Sequence, residues 1–209
     1  MLNALVSAID RRLRARQGIF EYSTCPHCIF RVQLAASTRR IALADGTNVP
    51  ADGRVIQLHL WNEHVLPFPA RGPTISWARR IRGDLEMSLQ ELATFVASRP
   101  ALADVTALEA NMAFGSSEQT QLLAGLASRY GFVRASDSTR GYSISEALHL
   151  LGENILISMI VMSHNPAALR ADCFRRSRVR VYLHRAELMK RFGKRVSVVG
   201  QTPQRIGKW

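Results

Sequence analysis

The side chains in this chain that are best able to do chemistry lie close together at the end of one predicted strand. They are His59, Trp61, Asn62, Glu63 and His64. An imidazole titrates near neutral pH and can exchange a proton, and a carboxylate such as Glu63 can orient it. We predict that these five residues line a ligand site. The alternative is that His59 and Trp61 pack beneath helices while Asn62 caps a turn.

The spacing of these residues does not favour a metal site. An inverted metalloprotease motif reads H-x-x-E-H, whereas His59 to His64 reads H-x-x-x-E-H. A zinc site built from Cys25 and Cys28 with His59 and His64 would lack a second close pair of cysteines. The chain also has no Gly-x-Ser-x-Gly elbow, phosphate-binding loop or dinucleotide fingerprint. We therefore expect no metal and no cofactor.

The segment Cys25-Pro26-His27-Cys28 resembles the active site of thioredoxin-fold dithiol oxidases. In that chemistry the first cysteine must lie at a helix N-terminus, where the helix dipole lowers its pKa. Residues 29–34 alternate like a strand instead of continuing as a helix. A redox pair of Cys25 and Cys28 is thus an alternative to buried or incidental cysteines.

The elements that position these residues begin with a strand over residues 54–61. Its period of two predicts one face with Val55, Gln57, His59 and Trp61, and an opposite, core-facing side with Ile56, Leu58 and Leu60. Residues 28–35 and 39–43 also have strand patterns. The turns Asp45-Gly46 and Asp52-Gly53 lie between the strands over 39–43 and 54–61.

The rest of the chain has a helical pattern. Apolar residues spaced by three and four predict a helix from Ile75 to Ala97, closed by Pro100. Further helices are predicted over 103–114, 117–130, 144–162 and 172–192, with a break at Asn165-Pro166. Residues 1–17 are predicted to form a basic amphipathic helix that packs on the core or lies on a membrane.

These elements predict an α+β fold, with a small, mostly antiparallel sheet near the N-terminus and a larger helical C-terminal part. We expect a single domain over residues 1–195. Within it, residues 28–62 form the sheet and residues 73–193 are helical. An irregular basic tail follows at 196–209.

The net charge of +12 is carried almost entirely by arginine, since all but three of the 28 basic residues are Arg. The predicted anion-binding residues, on the helix over 172–192, are Arg175, Arg176, Arg178 and Arg180. Arginine suits phosphate and carboxylate, which favours an anionic lipid surface or a phosphorylated or glycosylated ligand as partner. Nucleic acid is not favoured, because no helix-turn-helix or aromatic RNA-binding pattern accompanies the arginines. A solvated arginine face is the alternative.

Cysteine content and hydropathy point to a cytoplasmic protein, peripheral at the inner membrane. Three cysteines are too few for a disulfide scaffold. The N-terminal arginines follow the apolar residues, unlike the order in a secretory signal. The most apolar run, 147–162, is shorter than the roughly 20 residues that a spanning helix needs.

One stretch also carries a family pattern, xDGTxLxxGDxVxxLHLxN. The matching residues are Asp45, Gly46, Thr47, Val55, Leu58, His59, Leu60 and Asn62. Val49 replaces the Leu of the pattern, and Asp52-Gly53 reverses its Gly-Asp pair. In these residues the chain resembles the YkoP-like family, small bacterial proteins found alone or beside polysaccharide-deacetylase and glycosyltransferase functions. A second, weaker match covers 165–193, where an Asn-Pro precedes an Arg-rich segment.

The resemblance implies an accessory or ligand-binding protein of cell-envelope glycan or lipid metabolism, acting at the cytoplasmic membrane surface. It also implies an envelope-biosynthesis enzyme as a partner. The first alternative is a hydrolase or transferase that uses His59 and Glu63 on a phosphorylated or glycosylated substrate. The second is a dithiol oxidoreductase that uses Cys25 and Cys28.

Overall fold

The structure is a computed structural model that describes residues 12, 15–61, 63–67, 69, 74–112, 125–136 and 179–193. Its strands and helices follow in chain order: β1 (Phe30–Ala36), β2 (Ile41–Ala42), β3 (Asn48–Val49), β4 (Arg54–Leu60), α1 (Ile75–Ala97), β5 (Val105–Met112), β6 (Val133–Arg134), β7 (Val179–His184) and α2 (Arg185–Phe192). A short 3₁₀ helix at Pro100–Leu102 follows α1.

The main sheet has five strands in the order β1-β4-β5-β7-β6. Strands β4 and β5 run parallel and are joined through α1, as a parallel pair requires a crossover connection. The other neighbouring pairs are antiparallel. Strands β2 and β3 form a separate two-stranded hairpin.

Helix α1 confirms the sequence prediction with the same bounds. The Thr74 side chain accepts a hydrogen bond from the backbone N–H of Trp77 at 3.2 Å and so caps the N-terminus. The buried residues of the helix lie between Ser88 and Val96, where apolar side chains recur every three or four positions. The C-terminal half therefore makes most of the contact between α1 and the core, with Leu85 partly buried just before it.

Each face of the sheet has its own apolar cluster. On one face, Ile56, Leu58, Leu108 and Leu183 of the strands pack with α1 and α2. On the other face, the β2–β3 hairpin covers one end of the sheet. Its cluster consists of Ile41, Leu43, Val49, Val55, Ala107, Ala135 and Tyr182. The central strands are thus buried on both faces at this end.

The structure corrects the predicted fold class. The sheet is mixed, with five strands, and three of those strands lie within the region 73–193 that was predicted to be helical. Residues 105–112 form β5 and not a helix, and residues 179–184 form β7, so only Arg185–Phe192 is helical there. Strand β7 does alternate apolar and polar residues, but it lies inside a longer stretch, 172–192, whose apolar spacing also fits one continuous helix, and only pairing with β5 and β6 identifies it as a strand.

Several predictions fall outside the described residues. They are most of the helix over 1–17, the helix over 144–162, the Asn165-Pro166 break, the tail at 196–209, Asn62, and the anion-binding candidates Arg175, Arg176 and Arg178.

Candidate functional site

Strand β4 has the predicted alternation from Ile56 to His59, but Leu60, which was predicted to face the core, is 39% exposed at the end of the strand. Ile56 and Leu58 are buried in the α1 cluster, and Gln57 and His59 lie on the opposite face, only partly buried. His59 forms a hydrogen bond to Gln33 of β1 through its Nε2, at 3.1 Å. The structure therefore places His59 on the open face of the sheet, beyond the part that the hairpin covers.

A polar row crosses this face at the level of Gln57. Gln57 Nε2 donates to Glu109 Oε2 at 3.3 Å, and Tyr182 of β7 lies directly opposite Glu109. The Tyr182 hydroxyl is buried and has no hydrogen-bond partner among the described residues. Burial, with the Glu109 charge next to it, raises the pKa of Tyr182. The sequence did not point to Glu109 and Tyr182, because the apolar spacing around both residues predicted helices.

Trp61 is positioned at the end of β4 by a backbone hydrogen bond from its N–H to the Ile29 carbonyl, at 2.8 Å. A turn then brings His64 back onto the indole, with ring centroids 3.6 Å apart and planes 15° from parallel. His64 Nδ1 lies 2.8 Å from the Cys28 carbonyl oxygen. A carbonyl can only accept, so Nδ1 carries the proton, and in the neutral ring Nε2 is left as an acceptor.

Arg31 of β1 joins the segments around Trp61. It is buried, with 6% of its surface exposed, and its guanidinium lies 4.5 Å from the Trp61 ring centroid. It forms ion pairs with Glu21 at 3.2 Å and Glu63 at 3.3 Å. Glu63, which was predicted to line a ligand site beside the histidines, is thus held by Arg31.

An open groove of about 740 Å³ lies next to this group. Its walls come from residues 21–26, from the turn after β4 and from α1. Residues that line it include Glu21, Tyr22, Ser23, Trp61, His64 and Glu91.

Two hydrogen bonds to α1 fix the wall formed by residues 21–26. The Tyr22 hydroxyl donates to the Ser88 carbonyl at 2.8 Å, and the Ser23 hydroxyl donates to Glu91 Oε2 at 2.9 Å. Burial raises the pKa of Tyr22, so this hydroxyl stays protonated as a donor. These residues are more than 60 positions from their partners in the sequence, and no local pattern pointed to them.

The charge in the groove is opposite in sign to that of the whole chain. Glu21 and Glu91 contribute two carboxylates, whereas Arg31 is shared between Glu21 and Glu63. Carboxylates accept hydrogen bonds from hydroxyl groups and repel anions. The groove therefore suits a neutral ligand rich in hydroxyl groups better than a phosphorylated one.

The Cys25-Pro26-His27-Cys28 segment forms a turn before β1, with a hydrogen bond from Cys28 N–H to the Cys25 carbonyl at 3.0 Å. Neither cysteine begins a helix. Burial raises the pKa of the Cys28 thiol, so the second cysteine of the segment is held in its protonated form. No group of three or more His, Cys, Asp or Glu in the described ranges could hold a metal ion.

The Asp45-Gly46-Thr47 stretch shapes the hairpin turn. Asp45 accepts hydrogen bonds from the Thr47 hydroxyl at 2.6 Å and from its N–H at 3.0 Å, and Gly46 has a positive φ of 83°. The Thr47 hydroxyl also lies 2.7 Å from His184 Nε2, at the end of β7. These contacts give the motif a structural role, which is to fasten the hairpin to the sheet.

The predicted residues therefore separate into distinct places. Trp61 and His64 line the groove, His59 lies on the open sheet face, and Glu63 pairs with Arg31. Arg180 is exposed on strand β7, so its predicted place on a helix is wrong.

No family model, no curated protein and no solved structure matches this chain. The resemblance of residues 43–62 to the YkoP-like family stays a prediction. None of the helices in the described ranges is long and apolar enough to cross a bilayer.

Proposed function

We propose that this chain is a ligand-binding protein of cell-envelope glycan metabolism, which holds a neutral, hydroxyl-rich ligand in the groove between residues 21–26, Trp61 and α1. The observation that carries the proposal is the groove's lining, which combines carboxylates, hydroxyls and an aromatic pair. A sugar presents hydroxyl groups that both donate and accept. Glu21 and Glu91 accept from such groups, and the Nε2 of His64, whose Nδ1 donates to the Cys28 carbonyl, is a further hydrogen-bonding atom of the groove.

The charge of the groove narrows the ligand class. A phosphate about 5 Å from one carboxylate would meet a repulsion of roughly 3 kcal/mol at an effective dielectric constant of 20. Glu91 contributes such a carboxylate, whereas Arg31 offsets part of the charge of Glu21. A neutral glycan avoids it and is therefore preferred over the phosphorylated ligand that the arginine excess favoured.

Binding is preferred over catalysis because the proposed catalytic pair is engaged elsewhere. Glu63 forms an ion pair with Arg31, and His59 binds Gln33 on the open sheet face. The hydrolase or transferase alternative needs these two groups to act together on one substrate. The contacts that each residue makes support separate, structural roles.

The proposed place of action is an anionic membrane surface at the cytoplasmic side. The support comes from the N-terminal half of α1, where Arg79 and Arg80 are exposed and the Ile75 side chain is 75% exposed. Exposed arginines attract the surface of an anionic bilayer.

The test of ligand binding is calorimetric titration of a panel of neutral oligosaccharides, with glucose 6-phosphate as the anionic comparison. We expect a neutral sugar to bind and Glu91→Gln to weaken that binding about tenfold or more, since a hydrogen bond to a charged group contributes about 1.5–3 kcal/mol. Glu86→Gln is the matched control, because Glu86 is on the same helix and pairs with Arg82. Preference for the phosphorylated sugar, or equal affinity of both variants, would refute the proposed site.

A further inference from the structure

We propose that Cys25 and Cys28 are a redox modification site, which closes to an intrachain disulfide by exchange with a small disulfide such as oxidised glutathione. This inference does not rest on the ligand of the groove. It differs from the dithiol oxidoreductase alternative because the pair is modified by the exchange and does not catalyse the oxidation of other proteins.

The turn geometry brings the two cysteines within bridging distance. The hydrogen bond from Cys28 N–H to the Cys25 carbonyl, at 3.0 Å, closes a four-residue turn. The first and last Cα atoms of such a turn lie less than about 7 Å apart. A disulfide spans roughly 4.4–6.8 Å between Cα atoms, so the bridge can form with little movement of the backbone.

The side chains of Cys25 and Cys28 are also close enough to interact. Burial raises the pKa of the Cys28 thiol, which has contacts with the Ser23 and Tyr22 hydroxyls, and the neighbouring Cys25 raises that pKa further. Both thiols are free in the structure. Cys28 is 1% exposed, whereas Cys25 is partly exposed. A disulfide in solution can therefore reach Cys25 and not Cys28.

This asymmetry sets the order of the exchange. The Cys25 thiolate attacks one sulfur of the small disulfide, forms a mixed disulfide and releases one thiolate. The Cys28 thiol then loses its proton to the released thiolate and attacks the Cys25 sulfur, which releases the second thiolate. The chain loses two electrons and two protons, and the small disulfide is reduced to two thiols.

The surroundings of Cys28 make the second step slow. A thiol attacks as its thiolate, and burial disfavours that form in Cys28. No helix in the described residues begins at either cysteine to offset this with its dipole. The mixed disulfide on Cys25 should therefore be long-lived enough to detect.

The experiment uses the full chain with Cys173→Ser, because Cys173 is a third thiol outside the described residues. The protein is incubated in glutathione buffers of increasing oxidised fraction, quenched with acid, alkylated and analysed by intact mass. We expect loss of both alkylation sites, a mass lower by two hydrogens, and a transient glutathione adduct that maps to Cys25. Dithiothreitol should restore both thiols.

Two single variants distinguish the roles. Cys28→Ser should accumulate the stable Cys25 glutathione adduct, and Cys25→Ser should leave Cys28 unmodified until the protein is unfolded. Circular dichroism confirms that each variant is folded. The wild-type chain is treated in the same buffers as a comparison. The proposal fails if both thiols stay reduced in all buffers, if glutathione adds first to Cys28, or if the bridge in the wild-type chain includes Cys173.

Discussion

The guanidinium of Arg31 lies 4.5 Å from the centroid of the Trp61 ring. Arg31, a residue of β1, thus packs against a side chain that lines the groove. The same guanidinium binds Glu21, which precedes β1, and Glu63, which follows β4. One side chain thus fixes the two loops on either side of the groove. The planar fork of arginine suits this position because it can stack and form ion pairs at once.

We predict that Arg31→Lys lowers the free energy of unfolding by about 1–2 kcal/mol, because lysine keeps the charge and loses the fork and the stacking surface. Urea denaturation measures the change. Arg54→Lys is the control, since Arg54 pairs with Asp104 at the surface with 40% of its side chain exposed, and the expected loss is below about 0.5 kcal/mol. Equal losses in the two variants would contradict the role given to Arg31.

The pKa of Asp45 is lowered from its ordinary 3.8, first by the hydrogen bond from the Thr47 hydroxyl. A lowered pKa in the folded state means that the carboxylate adds stability above pH 3.8 and that this contribution is lost as the pH falls through the folded value. We predict that Thr47→Val raises the Asp45 pKa toward 3.8, measured by carbon NMR titration of the carboxyl group. Thr47→Ser should restore the low value. An unchanged pKa in Thr47→Val would show that the hydroxyl is not the cause.

Binding to anionic vesicles should depend on the exposed arginines of α1. A basic side chain at an anionic surface contributes about 1 kcal/mol, so we predict that Arg79→Gln with Arg80→Gln weakens binding to phosphatidylglycerol vesicles roughly tenfold or more. Sedimentation with vesicles at low salt measures the bound fraction, with phosphatidylcholine vesicles as the neutral comparison. Arg39→Gln with Arg40→Gln changes the charge equally at another exposed pair. If both double variants lose the same affinity, net charge and not α1 causes the binding.

The buried hydroxyl of Tyr182 has no hydrogen bond among the described residues, whereas that of Tyr22 donates to Ser88. We predict that Tyr182→Phe leaves the free energy of unfolding unchanged or raises it by up to about 1 kcal/mol, because it removes an unsatisfied polar group. Tyr22→Phe should lower it by about 1 kcal/mol. Thermal or urea unfolding of both variants measures the difference. A loss above about 1 kcal/mol in Tyr182→Phe would reveal a partner for that hydroxyl.

The sequence was sufficient where one element alternates or repeats by itself. The period of two in β4 separates Ile56 and Leu58 from Gln57 and His59, and the structure has the same two faces. The spacing of apolar residues in α1, with Pro100 after it, predicted its bounds. Such patterns depend only on residues within a few positions of one another, so they can be recognised from the sequence alone.

Only the tertiary structure decided the identity of β5 and β7 and the composition of the groove. Strand β5 alternates over only a few residues, from Leu108 to Asn111, which fits a helix as well, and its pairing with β4 and β7 decides that it is a strand. The groove combines Tyr22, His64 and Glu91 from three separate segments. Strand pairing and helix docking bring such residues together, because the apolar area that they bury belongs to the whole fold and not to any one segment.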